Sequence, residues 1–366
     1  MILYILVYLE ENTYNSSNMQ TLTQESLAPY TSLKCGGPAE TLHLPLHREE
    51  VIELLAQTDP NDHVWLLGFG SNCLISDEGL PGITILWRGG EITQDGNIVI
   101  VDAGVWWDSL VKYAITNGLW GLELMSEIPS SVGGAVFGNI AAYGQQVSDT
   151  LLWVEVFDRT TGSTRILEKA AIDFAYRESS LQSQPHLVIL QIAFELSSEP
   201  LHELKYESAL HIARELNADI KTLTGRREAI VETRSRAGSI YHPDDPDAER
   251  TAGSFFKNPM VSTEQATELA RFDESGKTLE RILAQNQIHG GSSHRASAAH
   301  VLLAAGFKRG QTWGNVRLHP KHVLKIETLP GATASGVYAV VREIVDTVHE
   351  RLDITITPEV RFLGKF

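Results

Sequence analysis

The sequence contains few cysteines: Cys35 and Cys73 are the only two in 366 residues. Neither belongs to a CxxC pair or to a cysteine/histidine cluster with metal-ligand spacing, which excludes a disulfide framework and a structural zinc site. Two isolated thiols are typical of a reducing compartment, where they stay unpaired. We therefore expect a cytoplasmic protein with free cysteines and no bound metal.

Basic residues are also scarce, because 30 lysines and arginines face 46 aspartates and glutamates, giving a net charge of −16. Binding to a nucleic acid backbone requires a stripe of positive charge, so we expect no nucleic acid partner. A local basic pocket for one small anion stays compatible with this composition.

A long apolar run is missing as well. The run Ile2–Leu9 is far too short to span a bilayer, and no other segment approaches that length, so we expect no membrane association. It also lacks the basic segment and the small-residue cleavage site of a signal peptide. Three interpretations stay open: a short strand, a disordered extension, or a stretch upstream of a true start at Met19. Organised sequence begins near Tyr30.

What is present is an alternation of short apolar runs with helical stretches, typical of an α+β protein. In a first region, strands at Thr41–Leu46 and His63–Leu67 flank a helix at Arg48–Gln57. A second region starts near Thr84 and ends near Pro200. Its predicted elements are the strands Ile98–Ala103, Trp153–Asp158 and His186–Leu196 and the helix Trp106–Asn117.

A third region, from about Leu204, is mainly helical. Its predicted helices are His211–Leu216, Lys221–Arg234, Thr263–Ala270, Ala298–Ala305 and Gly336–Arg351. Val323–Glu327 is predicted as a strand, and the chain closes on two more, Ile354–Ile356 and Glu359–Leu363. We expect these last strands to return to an earlier sheet.

Two glycine-containing segments follow or connect these strands. Gly68-Phe69-Gly70-Ser71-Asn72 comes directly after an apolar strand, where glycines let successive backbone N–H groups face an anion. It matches neither the GxGxxG pattern nor the P-loop, and an ordinary tight turn is the alternative. Ile128–Gly144 is long, apolar and rich in small residues, which leaves room for a flat ring system and a pyrophosphate. The alternative is a structural Ω-loop.

Three further segments place polar groups among apolar residues. Ser254 lies next to two phenylalanines and suits a proton donor in a dry site, although a capped turn is the alternative. No GxSxG motif is present, so a serine hydrolase is excluded. Arg177 and Glu359 each stand in an apolar run, where a charge is costly unless it is functional, ion-paired or solvated.

Taken in order, these motifs resemble the UDP-N-acetylenolpyruvoylglucosamine reductase (MurB) family. The resemblance covers about Tyr30 to Gly364. It is carried by Tyr30–Ala39, Gly68–Asn72, Ile128–Gly144, Phe174–Ser180, Lys205-Tyr206-Glu207, Gly253–Pro259, Ala304–Lys308 and Pro358–Gly364. It implies a vanillyl-alcohol-oxidase-like (PCMH-type) FAD-binding fold with a separate α+β substrate domain. It also implies noncovalent FAD, NADPH as electron donor, and a UDP-sugar enolpyruvyl ether that is reduced to UDP-N-acetylmuramate for peptidoglycan.

The resemblance also divides the chain and assigns its residues. It implies an N-terminal extension (1–18), FAD-binding subdomains (19–84 and 85–200), a substrate-binding domain (201–352) and C-terminal strands (353–366). FAD contacts are implied for Gly68, Phe69, Gly70, Ser71, Asn72, Ile128, Pro129, Ser131, Gly133, Gly134, Asn139, Ala141, Tyr143 and Gly144.

The implied catalytic residues are Arg177, Glu359 and Ser254. After a hydride adds to the enolpyruvyl methylene, Arg177 would hold the substrate carboxylate through its planar fork. Glu359 would polarise the same carboxylate by a hydrogen bond, and Ser254 would deliver the proton through a relay. Tyr176, Tyr206 and Asn258 are the implied substrate contacts, with Tyr176 covering the substrate.

The sequence departs from the family pattern at several places. Ser130 and Ala141 replace glycines, and Ala237 stands where many members have a substrate-binding lysine. We expect Arg236 to supply that charge, with solvated helix-end arginines as the alternative. Residues 271–295 lack the usual proline and acid–glycine features. Two rival functions stay open: an FAD oxidase of the same fold, and a non-catalytic flavin- or nucleotide-binding paralogue.

Overall fold

The computed structural model describes residues 19–270 and 294–366. The predicted N-terminal extension, with its apolar run, lies outside the described residues, and so does most of the departing segment 271–295. Short 3-10 helices occur at Ala28–Tyr30, Glu123–Met125, Lys169–Ala171 and Ser180–Ser183.

A four-stranded sheet opens the described chain. This part of the chain contains β1 (Gln20–Ser26), β2 (Pro38–Leu44), α1 (Arg48–Gln57), β3 (Val64–Leu67), β4 (Cys73–Ile75), which lies outside the sheet, and β5 (Leu80–Leu86). The strand order is β1-β2-β5-β3, with β2 and β3 parallel to β5. Helix α1 has the bounds that the sequence predicts. It starts there because Glu50 accepts hydrogen bonds from the backbone N–H groups of Leu46 and His47. Strand β1 shows that ordered chain begins earlier than Tyr30.

An antiparallel five-stranded sheet follows, in the order β11-β10-β14-β7-β6. Val51 and Leu55 of α1 belong to its apolar core, which joins it to the first sheet. The elements are β6 (Ile92–Asp95), β7 (Ile98–Asp102), α2 (Trp107–Thr116), α3 (Val132–Phe137), β8 (Ala141–Ala142), β9 (Gln145–Gln146), α4 (Val147–Thr150), β10 (Leu151–Asp158), β11 (Ser163–Glu168), β12 (Phe174–Ala175), β13 (Glu178–Ser179) and β14 (Leu187–Glu195).

The segment Ile128–Gly144 is not the continuous loop that the sequence predicts. Ser131 accepts a hydrogen bond from the Gly134 N–H and so begins helix α3. Tyr143 and Gly144 both have positive φ angles, +51° and +92°, which is the geometry of a two-residue hairpin turn between β8 and β9. Local capping and turn geometry therefore give this glycine-rich stretch regular structure.

The third region combines helices with a smaller antiparallel sheet in the order β15-β20-β19-β18. Phe255 and Phe256 are buried in its core. The elements are α5 (Glu207–Leu216), α6 (Leu223–Arg236), β15 (Thr251–Ser254), β16 (Met260–Val261), α7 (Thr263–Ala270), β17 (His294–Arg295), α8 (Ala298–Ala304), β18 (Thr312–Trp313), β19 (Val316–Leu318), β20 (Lys325–Thr328), α9 (Ala334–Leu352) and β21 (Arg361–Leu363).

The end of the chain returns to its beginning, as predicted. Strand β21 pairs in parallel with β4, and the backbone N–H of Arg361 donates to the carbonyl of Asn72 at 3.1 Å. Ile354–Ile356, however, forms no strand. The side chains of Ile354 and Ile356 are buried in the third core, so their alternation reflects burial rather than strand pairing. Among the described helices, none is long and apolar enough to cross a bilayer.

Candidate active site

The two glycine-containing segments lie against each other. The Ser71 hydroxyl donates to the carbonyl of Pro129, and a Cβ added at Gly68 would lie only 2.5 Å from Ser131 Oγ. Phe69 packs edge-on against Trp106, with ring centroids 4.5 Å apart. The chain therefore needs glycine at position 68 to bring the backbones of both segments to one place.

Arg88 supports this junction, and the sequence reasoning missed it. Its guanidinium donates to the carbonyls of Gly68 (3.1 Å) and Tyr30 (2.8 Å) and lies 5.1 Å from the centre of the Phe69 ring. The charge next to Trp87 in an otherwise apolar stretch was the available signal. Because the guanidinium binds carbonyls and a ring, it fixes the loop by hydrogen bonds and by a cation–π contact.

Arg177 lies at the turn of the β12–β13 ribbon, with a φ of +58° that a non-glycine residue rarely adopts. Its Nη1 donates to the carbonyl of Ala141 at 2.9 Å, while Asn139 Nδ2 donates to the carbonyl of Ala175 at 3.0 Å. These two bonds attach the ribbon to the β8–β9 hairpin. The strained turn is therefore held from both sides with the guanidinium facing the hairpin.

Arg177 and Glu359 are brought together, with Nε 3.3 Å from Oε1 and each side chain 24% exposed. Among the described residues, Arg177 Nε has no hydrogen-bond partner, because the carboxylate oxygen lies out of line with the N–H. The contact is thus a loose ion pair. It is compatible with a structural pair and equally with a guanidinium edge that turns to a ligand carboxylate.

Ser254 is joined to Glu359 through the main chain. The Glu359 N–H donates to the carbonyl of Phe255, the residue after Ser254, at 2.8 Å, and Asn72 Nδ2 donates to the Glu359 carbonyl at 3.4 Å. Gly253 has a φ of +76° and open space where a Cβ would stand. Residues from three distant stretches of sequence therefore meet here. The Ser254 side chain is exposed.

Arg295 links two predicted substrate residues and was also missed. Its guanidinium carbon lies 4.0 Å from the Tyr176 ring centroid, and its Nη1 donates to the Asn258 carbonyl at 2.9 Å. The Oδ1 atom of Asn258 accepts from the backbone N–H of Ala298 at 2.9 Å, at the start of α8. Lys257, the residue before Asn258, forms an ion pair with Glu178 at 2.8 Å.

Tyr206 contacts Tyr143 in the turn between β8 and β9, with ring centroids 5.4 Å apart in an edge-on arrangement. Burial raises the pKa of both hydroxyls, so both stay protonated donors at neutral pH. Tyr206 also stands at the N-terminus of α5, which fixes its backbone. The third region thus contacts the β8–β9 turn through an aromatic pair.

Arg236 is placed away from this set. Its guanidinium pairs with Glu215 at 2.6 Å and with Glu232 at 2.7 Å, and the side chain is 48% exposed. The two carboxylates occupy its Nε and Nη1 donors, so a diphosphate would have to compete with both glutamates. The prediction that Arg236 replaces the lysine absent at Ala237 therefore has no geometric support, and the alternative of solvated helix-end arginines does not describe the contacts either, because Arg236 is ion-paired and Arg234 donates to the carbonyl of Ser239.

A buried ion network crosses from α6 to the second glycine segment. Arg227 donates to both oxygens of Asp108, at 2.7 and 2.8 Å, and to Glu127 at 2.9 Å. Lys112 lies 3.0 Å from Asp108. Glu127 has a φ of +58° and directly precedes Ile128. Sequence alone gives no sign that charges so far apart along the chain meet in one cluster.

The cysteines Cys35 and Cys73 are free and buried, and burial raises the pKa of each thiol to about 12. Over residues 19–270 and 294–366, histidine, cysteine, aspartate and glutamate side chains form no group of three or more suited to a metal ion.

Two family models match the chain. The model described as "UDP-N-acetylenolpyruvoylglucosamine reductase, C-terminal domain" matches residues 245–363, and the "FAD binding domain" model matches residues 39–168. The chain is 33% identical to the UDP-N-acetylenolpyruvoylglucosamine reductase of Thermobifida fusca, covering 92% of this chain and 96% of the relative. It is 33% identical to that of Streptomyces coelicolor, covering 93% and 90%.

The chain is also similar to a solved structure of a reductase of this name. The crystal structure of UDP-N-acetylenolpyruvylglucosamine reductase from Thermus caldophilus superimposes with a TM-score of 0.63 at 25% identity. The match covers 95% of this chain and 99% of that one.

Proposed function

Because this chain belongs to the UDP-N-acetylenolpyruvoylglucosamine reductase family, we propose that it carries out the reaction of that family, reduction of the enolpyruvyl ether of UDP-N-acetylglucosamine to UDP-N-acetylmuramate. It is an FAD-dependent oxidoreductase with a vanillyl-alcohol-oxidase-like flavin fold, and NADPH is its reductant. The reaction belongs to peptidoglycan precursor synthesis, and a nucleotide-sugar substrate agrees with the expected cytoplasmic location.

The observation that carries the proposal for the site residues is the meeting of Arg177, Glu359 and Ser254. The Arg177–Glu359 distance is 3.3 Å, and the main chain of Glu359 bonds to the residue after Ser254. A guanidinium, a carboxyl group and a hydroxyl from separate parts of the chain match the demands of a substrate with a carboxylate and a carbon that must gain a proton. An unrelated structural pair would not require the hydroxyl.

The residues present fit a flavin dinucleotide. The Gly68–Asn72 and Ile128–Gly134 segments meet with no room for a side chain at Gly68, which leaves backbone N–H groups and small side chains to face a pyrophosphate. Asn139, Ala141, Tyr143 and Gly144 continue from this junction toward Arg177, where the ring system would lie. When reduced by NADPH, FAD supplies the hydride.

The protein residues then do the following. Arg177 holds the substrate carboxylate through its fork, and the charge that develops there in the transition state strengthens that contact. Glu359, as the neutral acid, donates a hydrogen bond to the same carboxylate. Ser254 gives its proton to the substrate carbon next to the carboxylate, a step that requires the bound substrate to exclude water from this exposed hydroxyl.

Three further residues would bind the nucleotide sugar. Tyr176 covers the substrate from the β12–β13 turn. Tyr206 contacts the sugar or the diphosphate through its hydroxyl, because its ring edge packs on Tyr143, and Asn258 does so through its Nδ2, because its Oδ1 is bonded to Ala298. Arg236 is not part of this proposal, because two glutamates already bind it.

The first experiment tests the cofactor and the reaction together. We expect the purified protein to be yellow, to release intact FAD on denaturation, and to bleach with NADPH under anaerobic conditions. Addition of the enolpyruvyl substrate should restore the flavin absorption with formation of UDP-N-acetylmuramate. Covalent flavin that reoxidises only with oxygen would favour the oxidase, and flavin binding without turnover would favour the non-catalytic paralogue.

A substitution at Ser254 separates the two half-reactions. We expect Ser254→Ala to leave flavin reduction by NADPH near the wild-type rate and to slow reoxidation by substrate by about 10²–10⁴-fold, the usual effect of losing a positioned proton donor. Stopped-flow absorbance measures both rates. Ser208→Ala, at an exposed position on α5, is the matched control. A normal reoxidation rate in Ser254→Ala would remove Ser254 from the mechanism.

A further inference from the structure

One buried cation near Ser254 has no place in the chemistry described so far. Lys325 is 2% exposed and lies at the start of strand β20. Its ammonium donates to the carbonyls of Ala237 (2.8 Å) and Gly238, just past the end of helix α6. A buried lysine is rare, because removing its charge from water costs free energy that only hydrogen bonds or an opposite charge can offset.

The strand pairing places Lys325 beside the proposed proton donor. Ser254 and Lys325 are directly opposite each other in the antiparallel pair β15–β20. Side chains of directly opposite residues extend from the same face of a sheet. The Lys325 side chain therefore leaves the sheet on the same face as the Ser254 hydroxyl.

The ammonium also binds the main-chain carbonyl of Ala237, the residue that stands where the resemblance expects a lysine. Its anchor there is a helix C-terminus, where carbonyl groups without helical partners attract a cation. Gly238 has a φ of +59°, and a Cβ there would lie 2.7 Å from a carboxylate oxygen of Glu249. The backbone after α6 therefore lies close to the Glu249 carboxylate, with no space for a side chain at position 238.

We propose that Lys325 is a positioning residue for the reduction reaction, which stabilises the negative charge left on Ser254 when the serine hydroxyl gives up its proton. In that step the O–H bond breaks, a C–H bond forms on the substrate carbon, and the electron pair stays on Oγ. Water later returns the proton. Lys325 forms no bond to the substrate, and this role rests on the proposed function of Ser254.

The role requires the ammonium to be charged. Burial lowers the pKa of Lys325 to about 8, so the stabilising charge is present below pH 8 and is lost above it. The same electrostatic neighbourhood contains Glu249, Glu327, Arg234, Lys321 and His322. Burial, more than any of these neighbours, sets the direction of the shift.

The test compares both half-reactions of the holoenzyme across pH 6 to 10, with NADPH and the enolpyruvyl substrate, in the wild type and two variants. We expect Lys325→Met to slow flavin reoxidation about 100-fold at pH 7, as expected for loss of a preorganised charge. Flavin reduction should be unchanged. Wild-type reoxidation should slow as the pH rises through about 8, and Lys325→Arg should retain the rate and lose this slowing.

Lys321→Met is the matched control, since it removes an exposed lysine from the same loop. Reoxidation by Lys325→Met within about threefold of the wild type would overturn the proposal, as would an alkaline decline that persists in Lys325→Arg. If Lys325→Met binds no flavin, the pH profile of Lys325→Arg decides. A wild type that substrate does not reoxidise would refute the proposed function itself, a different outcome.

Discussion

Replacing Arg227 tests the ion network that connects helix α6 to the segment beginning at Ile128. In Arg227→Met, the fully buried carboxylate of Asp108 and the nearly buried carboxylate of Glu127, 7% exposed, lose their shared guanidinium. The methionine fills similar space but carries no charge. We expect a large loss of stability, because the two carboxylates would stay buried close to each other.

The magnitude follows from what remains. Removing one partner of a buried ion pair costs about 3–5 kcal/mol of unfolding free energy. Lys112 still lies 3.0 Å from Asp108, but its side chain is 57% exposed and compensates only in part. We therefore expect a loss of about 3 kcal/mol, at the lower end of that range. Because Glu127 directly precedes Ile128, the flavin should also dissociate at a lower temperature.

The effect should depend on pH with a definite sign. Burial alone would raise the pKa of Asp108, but hydrogen bonds from Arg227 lower it overall. Asp108 therefore stabilises the wild type above the pKa of the unfolded state, about 3.9, and this stabilisation is lost on acidification. For Glu127, burial and the charge of Asp108 raise the pKa, so its ionisation becomes costly as the pH rises.

Without Arg227 both pKa values rise, and both carboxylates take up protons more readily in the folded variant. The deficit of Arg227→Met should thus be largest near pH 7.5 and smaller near pH 5. Urea unfolding at both pH values, followed by flavin fluorescence and circular dichroism, measures it. Arg214→Met is the matched control, because the ion pair of Arg214 with Glu207 is long, at 3.6 Å, and the Glu207 side chain is 84% exposed. A loss below about 1 kcal/mol, or one independent of pH, would refute this reasoning.

Two other expectations follow from single contacts. Asp77 accepts hydrogen bonds from the backbone N–H groups of Ala334 (2.7 Å) and Ser335 (2.8 Å) at the start of α9, so Asp77→Ala should lower the unfolding free energy by about 1–2 kcal/mol in a urea titration; an unchanged midpoint contradicts this. Arg236→Ala should leave the substrate KM within about twofold, because its partners are glutamates; a rise of about tenfold would return Arg236 to the site.

Local signals in the sequence predicted much of the architecture. The helix at Arg48–Gln57 was predicted with its exact bounds, because a capping carboxylate and the following Asp59-Pro60 lie within a few residues. The helix Thr263–Ala270 agrees with its prediction as far as the described residues extend. The motif segments around Gly68 and Ser254 were also visible, since glycine and flanking aromatics mark them locally.

The remainder depends on contacts between distant residues. Glu232 lies four residues before Arg236 and is a local signal for one ion pair, but nothing in the sequence shows that Glu215 also binds Arg236 or that Lys325 reaches the carbonyl of Ala237. Arg88 and Arg227 likewise acquire their roles only from loops and helices far along the chain. Strand prediction at Ile354–Ile356 failed because alternating burial resembles strand pairing in a single sequence.

The pairing of β21 with β4 has a consequence for how the protein is made. A ribosome delivers Cys73–Ile75 long before Arg361–Leu363, and Glu359 arrives only with the latter. Contacts between segments so distant in sequence close late in folding. The nascent chain therefore has an unpaired, apolar strand edge at β4 until Arg361–Leu363 has been synthesised. The contact of Glu359 with Arg177 is thus completed in one late step, and a polypeptide terminated before that point would expose the edge to aggregation.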